Sequence, residues 1–120
     1  MFSLEPTLQG HTLTLVMTGD VDMTDVVAFN DTLRAHSKTP SISQLVLNLS
    51  QAGKMDMSGL GALVSLNTSM HRYGRRLVLM QTPPHIENLL KKAEVEGFFA
   101  VCENEEELTG FLSQPPHRAT

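Results

Sequence analysis

A carboxylate and a hydroxyl two residues apart, followed by two glycines, form the chemistry-bearing group of this 120-residue chain: Asp56-Met57-Ser58-Gly59-Leu60-Gly61. Three chemistries draw on such residues: acyl transfer by an activated serine, phosphoryl transfer onto the aspartate, and modification of the serine by another protein. The nucleophile elbow of serine hydrolases needs glycines two positions on either side of the serine, where this chain has Asp56 and Leu60. Gly53-Lys54 lacks the upstream glycine and following hydroxyl of a phosphate loop, and Gly59-Leu60-Gly61 lacks the third glycine of a dinucleotide fingerprint. The histidines at 11, 36, 71, 85 and 117 are scattered, and Cys102 has no second cysteine beside it, so the sequence offers no metal-ligand set. The expectation is a protein that is not an enzyme and needs no metal, cofactor or small-molecule substrate. A receiver domain, phosphorylated on Asp56 after its third strand, is a remote alternative. It requires an acidic pair where the first strand ends and a lysine after the last, and this chain offers Pro6 and Glu103-Asn104 there.

The elements that must hold the group are legible on both sides of it. Leu45-Val46-Leu47-Asn48-Leu49 is almost continuously apolar, as a strand covered on both faces would be. A helix is expected from Ser58 to Tyr73, stopped by Gly74, with Leu60, Leu63, Val64 and Met70 inward and Leu66 flanking them. At about 100° per residue, Ser58, Ser65, Ser69 and Arg72 fall on the solvent side. The Ser58 hydroxyl is thereby presented in the first turn of a helix, outside the carboxyl end of a strand.

Phe2 and Leu4, and then Thr12 to Thr18, alternate as two strands of a hairpin, the first ending near Pro6. Gly19-Asp20-Val21-Asp22 breaks the alternation, and Thr24 is read as the cap of a helix with Val26, Phe29 and Leu33 inward. Residues Ser37 to Ser43 and Ser50 to Met57 read as loops, the second kept flexible by Gly53. Arg76 to Met80 is a second interior strand, and Thr82-Pro83-Pro84 opens a helix capped by Thr82, with Ile86, Leu89, Leu90 and Ala93 inward, broken at Gly97. Phe98 to Cys102 is a last strand, and Glu105 to Leu112 a final helix with Leu108, Phe111 and Leu112 inward. Strands alternating with helices after a hairpin give an α/β fold with a mixed sheet of four to five strands and parallel crossovers. One domain over residues 1–112 is expected, with Ser113 to Thr120 a disordered tail.

An apolar content of 41% with 18% charged residues is ordinary for a globular domain, and no apolar run approaches the ~20 residues of a membrane span. Met1 to Glu5 carries no basic segment followed by an apolar one, so no signal peptide is expected. A lone Cys102 in an apolar segment reads as a buried thiol in a reducing compartment, hence a cytoplasmic protein. The net charge of -4 argues against a nucleic-acid backbone or an anionic membrane as the main partner. Arg72, Arg75 and Arg76 cluster where a helix should end, complementing its dipole.

Taken together, Gly19-Asp20-Val21-Asp22, Leu47-Asn48-Leu49-Ser50, Met55 to Gly61, Arg76-Leu77-Val78-Leu79 and the segment Pro84 to Phe99 resemble the STAS family, specifically bacterial anti-sigma factor antagonists. The resemblance covers Leu4 to Leu112. It implies a mixed sheet with helices mainly on one side and a phosphorylation-switched binding protein. The serine matching Ser58 is the phosphoacceptor of a partner that is both anti-sigma factor and ATP-dependent serine kinase, and a PP2C-type phosphatase reverses the modification. Asp22, Met23 and Thr24, with Asp56, Met57, Gly59 and Leu60, would make the docking surface. Three positions depart from the family pattern: Met57 where serine or threonine is usual, Asn48 where aspartate is common, and Lys54 where an aromatic or small residue stands. A constitutive STAS adaptor of a transport, secretion or signalling complex, using the same surface without phosphorylation, is the alternative.

Overall fold

The computed structural model describes residues 1–104 and 106–108. Five strands form one sheet in the order β1(Phe2–Gln9), β2(Thr12–Val21), β3(Gln44–Met55), β4(Arg76–Met80), β5(Ala100–Cys102). β1 and β2 are antiparallel, and every later pairing is parallel. The helices α1(Val26–Ser37), α2(Met57–Arg72) and α3(Pro84–Lys92) make the crossovers. This is the expected α/β fold with a mixed sheet. It is not the receiver fold, whose order 2-1-3-4-5 places the first strand inside a parallel sheet.

Alternation along the strands decides where the core sits. Leu13, Leu15 and Met17 of β2, Leu45, Leu47 and Leu49 of β3, and Leu77 and Leu79 of β4 point to one face. There they meet Phe29 and Leu33 of α1, Leu60, Leu63, Leu66 and Met70 of α2, and Ile86 and Leu90 of α3. The helices thus lie mainly on one side of the sheet. On the reverse face Val46, Val78, Met80 and Cys102 form a smaller cluster, closed by Leu108. Residues 106–108 are helical, with Asn104 receiving the backbone N–H groups of Glu107 and Leu108. The rest of the expected last helix, Phe111 and Leu112 included, and the tail from Ser113 lie outside the described residues.

Several boundaries differ from the sequence expectation. β1 runs past Pro6, which pairs with Leu15; as an edge strand it tolerates the missing N–H on one side. β2 continues through Gly19-Asp20 to Val21, and β3 continues through the expected loop to Met55, because these two extensions pair with each other across two register shifts. Gly53 is therefore a strand residue, and close approach explains it: a Cβ there would stand 2.0 Å from Asp20 Oδ1, the atom that accepts the Lys54 N–H at 2.7 Å. Thr24 and Thr82 are not helix caps. Asp25 precedes α1 without a side-chain cap bond, Thr24 bonds Asp22 instead, Pro83 precedes α3, and Thr82 is buried. α3 stops at Lys92, before Gly97, and Glu96–Phe98 is a 3-10 turn that shortens β5 to Ala100–Cys102. α2 ends as expected, with Gly74 at φ +71° just beyond it.

Candidate functional site

Parallel pairing of β2 with β3 sets Val21 opposite Met55, so the two strands end level. The next residue in each is an aspartate. Asp22 Oδ1 accepts the Thr24 N–H at 2.8 Å and the Thr24 hydroxyl at 2.6 Å. Asp56 Oδ1 accepts the Ser58 N–H at 3.0 Å, the Gly59 N–H at 3.2 Å and the Ser58 hydroxyl at 2.5 Å. Asp56 is thus the N-cap of α2, and its carboxylate fixes the rotamer of the serine two residues on.

Asp22-Met23-Thr24 and Asp56-Met57-Ser58 lie side by side and share one motif, an aspartate that accepts both the N–H and the hydroxyl of the residue two further on, the first in a turn ahead of α1 and the second as the N-cap of α2. Each presents a methionine, Met23 at 76% and Met57 at 55% exposure, and each ties a hydroxyl to its own carboxylate. Both carboxyls sit below the usual carboxylate range. For Asp22 the chief cause is the Thr24 hydroxyl, and for Asp56 the Ser58 hydroxyl, because these bonds favour the charged form. The family resemblance alone puts these two stretches on one surface; the pairing of Val21 with Met55 is what makes them neighbours.

The expected site residues divide by burial. Asp22, Met23, Thr24 and Met57 are exposed, while Asp56 and Ser58 are half-buried. Gly59 and Leu60 are buried and face the sheet. On α2 the solvent side is led by Met57, Gly61, Thr68 and Arg72; Ser58, Ser65 and Ser69 flank it, half-buried. Two residues without an assigned role in the sequence reading join the site. Lys54 and His85, with Asp20, Asp22 and Asp56, line a cleft of about 450 Å³. His85 Nε2 carries a proton, since it bonds the Gly53 carbonyl at 2.7 Å and a carbonyl can only accept. The strand extension that brings Gly53 beside α3 has no apolar signal, so the sequence alone does not group Lys54 with His85.

Among the described residues no cluster of histidine, cysteine, aspartate or glutamate could hold a metal ion, and no helix is long and apolar enough to cross a membrane.

Comparison with known proteins agrees with this fold. The family model described as "Mlab, STAS domain" matches residues 4–103. The fold is similar to that of the Thermotoga maritima protein tm1081, with a TM-score of 0.82 at 13% identity over 92% of this chain and 95% of that one. An anti-sigma factor antagonist from Mycobacterium paratuberculosis superposes with a TM-score of 0.81 at 13% identity, over 95% and 96% of the two chains. The Bacillus cell fate determinant SpoIIAA in its phosphorylated form gives 0.68 at 18% identity, over 93% and 99%.

Proposed function

The chain belongs to the STAS family, and from that premise we propose that it is an anti-sigma factor antagonist switched by phosphorylation of Ser58. In the unmodified state the exposed pair Met23 and Met57, flanked by Asp22, Thr24 and Asp56, docks in the cytoplasm onto an anti-sigma factor that is also an ATP-dependent serine kinase. The kinase passes the γ-phosphoryl group of ATP to Ser58 Oγ, ADP leaves, and a PP2C-type phosphatase hydrolyses the ester.

The observation that carries this reading is the Ser58 hydroxyl held in one rotamer by Asp56 in the first turn of α2, beside the exposed Asp22, which holds the Thr24 hydroxyl in the same way. Asp56 positions the hydroxyl and is a weak base, its pKa being depressed by that bond, so removal of the proton falls to the kinase. Asp56 already holds the Ser58 and Gly59 amides, so a phosphate on Ser58 meets the favourable end of the α2 dipole, worth about 0.3–1 kcal/mol, without unseating that cap. A phosphate adds about -1.5 to -2 charge. Against one fixed carboxylate of a docked partner ~6 Å away this costs about 3 kcal/mol per unit charge at an effective dielectric near 20. Since ~1.4 kcal/mol is tenfold in affinity, each unit of that charge weakens binding by about a hundredfold before salt screening.

The second reading, a constitutive STAS adaptor of a transport, secretion or signalling complex, is favoured by one feature: the Ser58 O–H is half-buried and already bonded to Asp56, as in a helix cap that no kinase reads. Affinity capture with the wild-type chain, Ser58→Ala and Ser58→Asp, joined to site-mapped phosphopeptide mass spectrometry, separates the two. The switch requires phosphate on Ser58 in cells and loss of the captured partner on authentic phosphorylation. Equal affinity of the phosphorylated and unmodified chains for that partner leaves the adaptor standing.

A further inference from the structure

At the end of the domain away from Ser58, where α1 and α2 finish, a cleft of about 490 Å³ is lined by Arg34, Lys38, Arg75, Ser37, Ser69 and Tyr73. At ~1.5 Å per helical residue it lies about 20 Å from Ser58, so the two places can be occupied independently. Its charge is the first unusual feature. Three cations line it in a chain whose net charge is -4. The carboxyl ends of two helices supply only about half a negative charge each, which leaves a surplus of roughly two positive charges.

Among the described residues that surplus has no internal counterpart. Among the described residues the ion pair present joins the N-terminal ammonium to Asp25 at 3.4 Å, and no carboxylate lies within ion-pair distance of Arg34, Lys38 or Arg75. Both guanidiniums are instead held by neutral acceptors. Arg34 Nη2 donates to Ser65 Oγ at 2.6 Å, and Arg75 Nη1 donates to the Ser37 carbonyl at 2.5 Å. Each bond uses one of several donors and fixes the group without neutralising it, which reduces the ordering cost of binding an anion. Tyr73 stands on the rim, 73% exposed.

We propose that this cleft binds a phosphate monoester in its dianionic form, with an aromatic or apolar body of the ligand lying on Tyr73. Two negative charges match the surplus, guanidinium donors suit phosphate oxygens, and the volume falls within the ~300–1,000 Å³ of small-ligand sites. A soluble phosphorylated metabolite and a phosphomonoester lipid headgroup share this chemistry.

The test is a ¹⁵N–¹H NMR titration of the full chain with inorganic phosphate and with phenyl phosphate at constant ionic strength, sodium chloride serving as control. The expected result is saturable shifts of the Ser37, Lys38, Ser69 and Tyr73 amides, tighter for phenyl phosphate. Arg75→Gln and Lys38→Gln should each weaken binding about tenfold, equivalent to ~1.4 kcal/mol, and Tyr73→Ala should erase the preference for phenyl phosphate. Arg75 also holds Ser37, so if Arg75→Gln does not fold, the exposed Lys38→Gln decides alone. Co-sedimentation with phosphatidylcholine vesicles, with and without phosphatidic acid, then assigns the source: Lys38-dependent binding to the acidic vesicles names a lipid, and phenyl phosphate binding without co-sedimentation names a soluble ligand. Shifts that sodium chloride reproduces, that never saturate, or that centre on the first turn of α2 overturn the proposal.

Discussion

Gly59 and Gly61 lie two residues apart in α2 and should respond in opposite directions to the same substitution. Alanine is better than glycine inside a helix by about 1 kcal/mol. At Gly61 an added Cβ meets nothing within 4 Å, so Gly61→Ala should stabilise by about 0.5–1 kcal/mol. At Gly59 the same atom would stand 2.8 Å from Met55 Cγ and 3.1 Å from Val21 Cγ1. Those residues end β3 and β2, so the clash is relieved only by displacing Met55 or lifting the start of α2 off the sheet. Overpacking of this kind costs about 1–3 kcal/mol. Set against the propensity gain, Gly59→Ala should be neutral to destabilising by roughly 2 kcal/mol. The difference between the two variants, from which propensity cancels, isolates packing at about 1–3 kcal/mol. Urea denaturation with a common slope measures it, and melting should separate the variants by about 4–8 °C per kcal/mol. If both stabilise equally, within the ~0.5 kcal/mol typical of surface substitutions, the first turn of α2 does not sit against the ends of β2 and β3. The positions assigned to Asp56 and Ser58 would then fail with it.

Leu47→Ala and Leu63→Ala, both fully buried on the helix-covered face, should each destabilise by about 2–5 kcal/mol in chemical denaturation; a loss under ~0.5 kcal/mol would refute their placement. Asp22 and Asp56 titrate below 3.8 in the folded chain, so the unfolded chain takes up protons first. The stability these groups contribute is complete above ~pH 5 and declines as pH falls through their folded values. Asp56→Asn should flatten that acid limb in pH-dependent urea melts, and an unchanged limb would mean that the Ser58 and Gly59 bonds to Asp56 do not persist in solution. Met23→Asp and Met57→Asp, both at exposed positions, should leave stability within ~0.5 kcal/mol of wild type and abolish partner capture. Undiminished capture would place the docking surface elsewhere.

How far the sequence could be read depended on what kind of signal each element carried. Leu45 to Leu49 announces itself because both of its faces are covered. The continuation through Ser50, Gln51, Gly53 and Lys54 does not, because it is held by pairing with β2 and by Asp20 rather than by its own apolar pattern. Asn67 shows the same limit on the helix side. It sits at an inward position and is fully buried, its Nδ2 donating to the Phe98 carbonyl at 2.9 Å, yet its polarity hides that role from any hydrophobic periodicity. Thr24 and Thr82 read as caps because hydroxyl residues precede helices, but the neighbouring Asp22 captured one hydroxyl and burial the other. Ser58 was found in the first turn of its helix. Its bond to Asp56 is not legible in the sequence, since a carboxylate two residues before a serine can equally point to solvent.

The paired motifs also explain why the site can depend on one modification. Asp22 and Asp56 have their inner oxygens occupied by backbone amides and hydroxyls, so neither offers a partner a free, mobile carboxylate. What projects is Met23 and Met57, polarizable side chains that adapt to a varied apolar surface. Recognition on this reading is apolar at its centre, within a rim that Asp20, Asp22 and Asp56 already make acidic. Phosphate on Ser58 acts at the centre instead, where the hydroxyl now spends its proton on Asp56. Once esterified, that oxygen has no proton to donate, so the bond is lost and the dianion must turn away from Asp56 toward the methionines. The modification then places charge in the apolar middle of the surface, where desolvation is least tolerated, and not at a rim where salt and water would screen it.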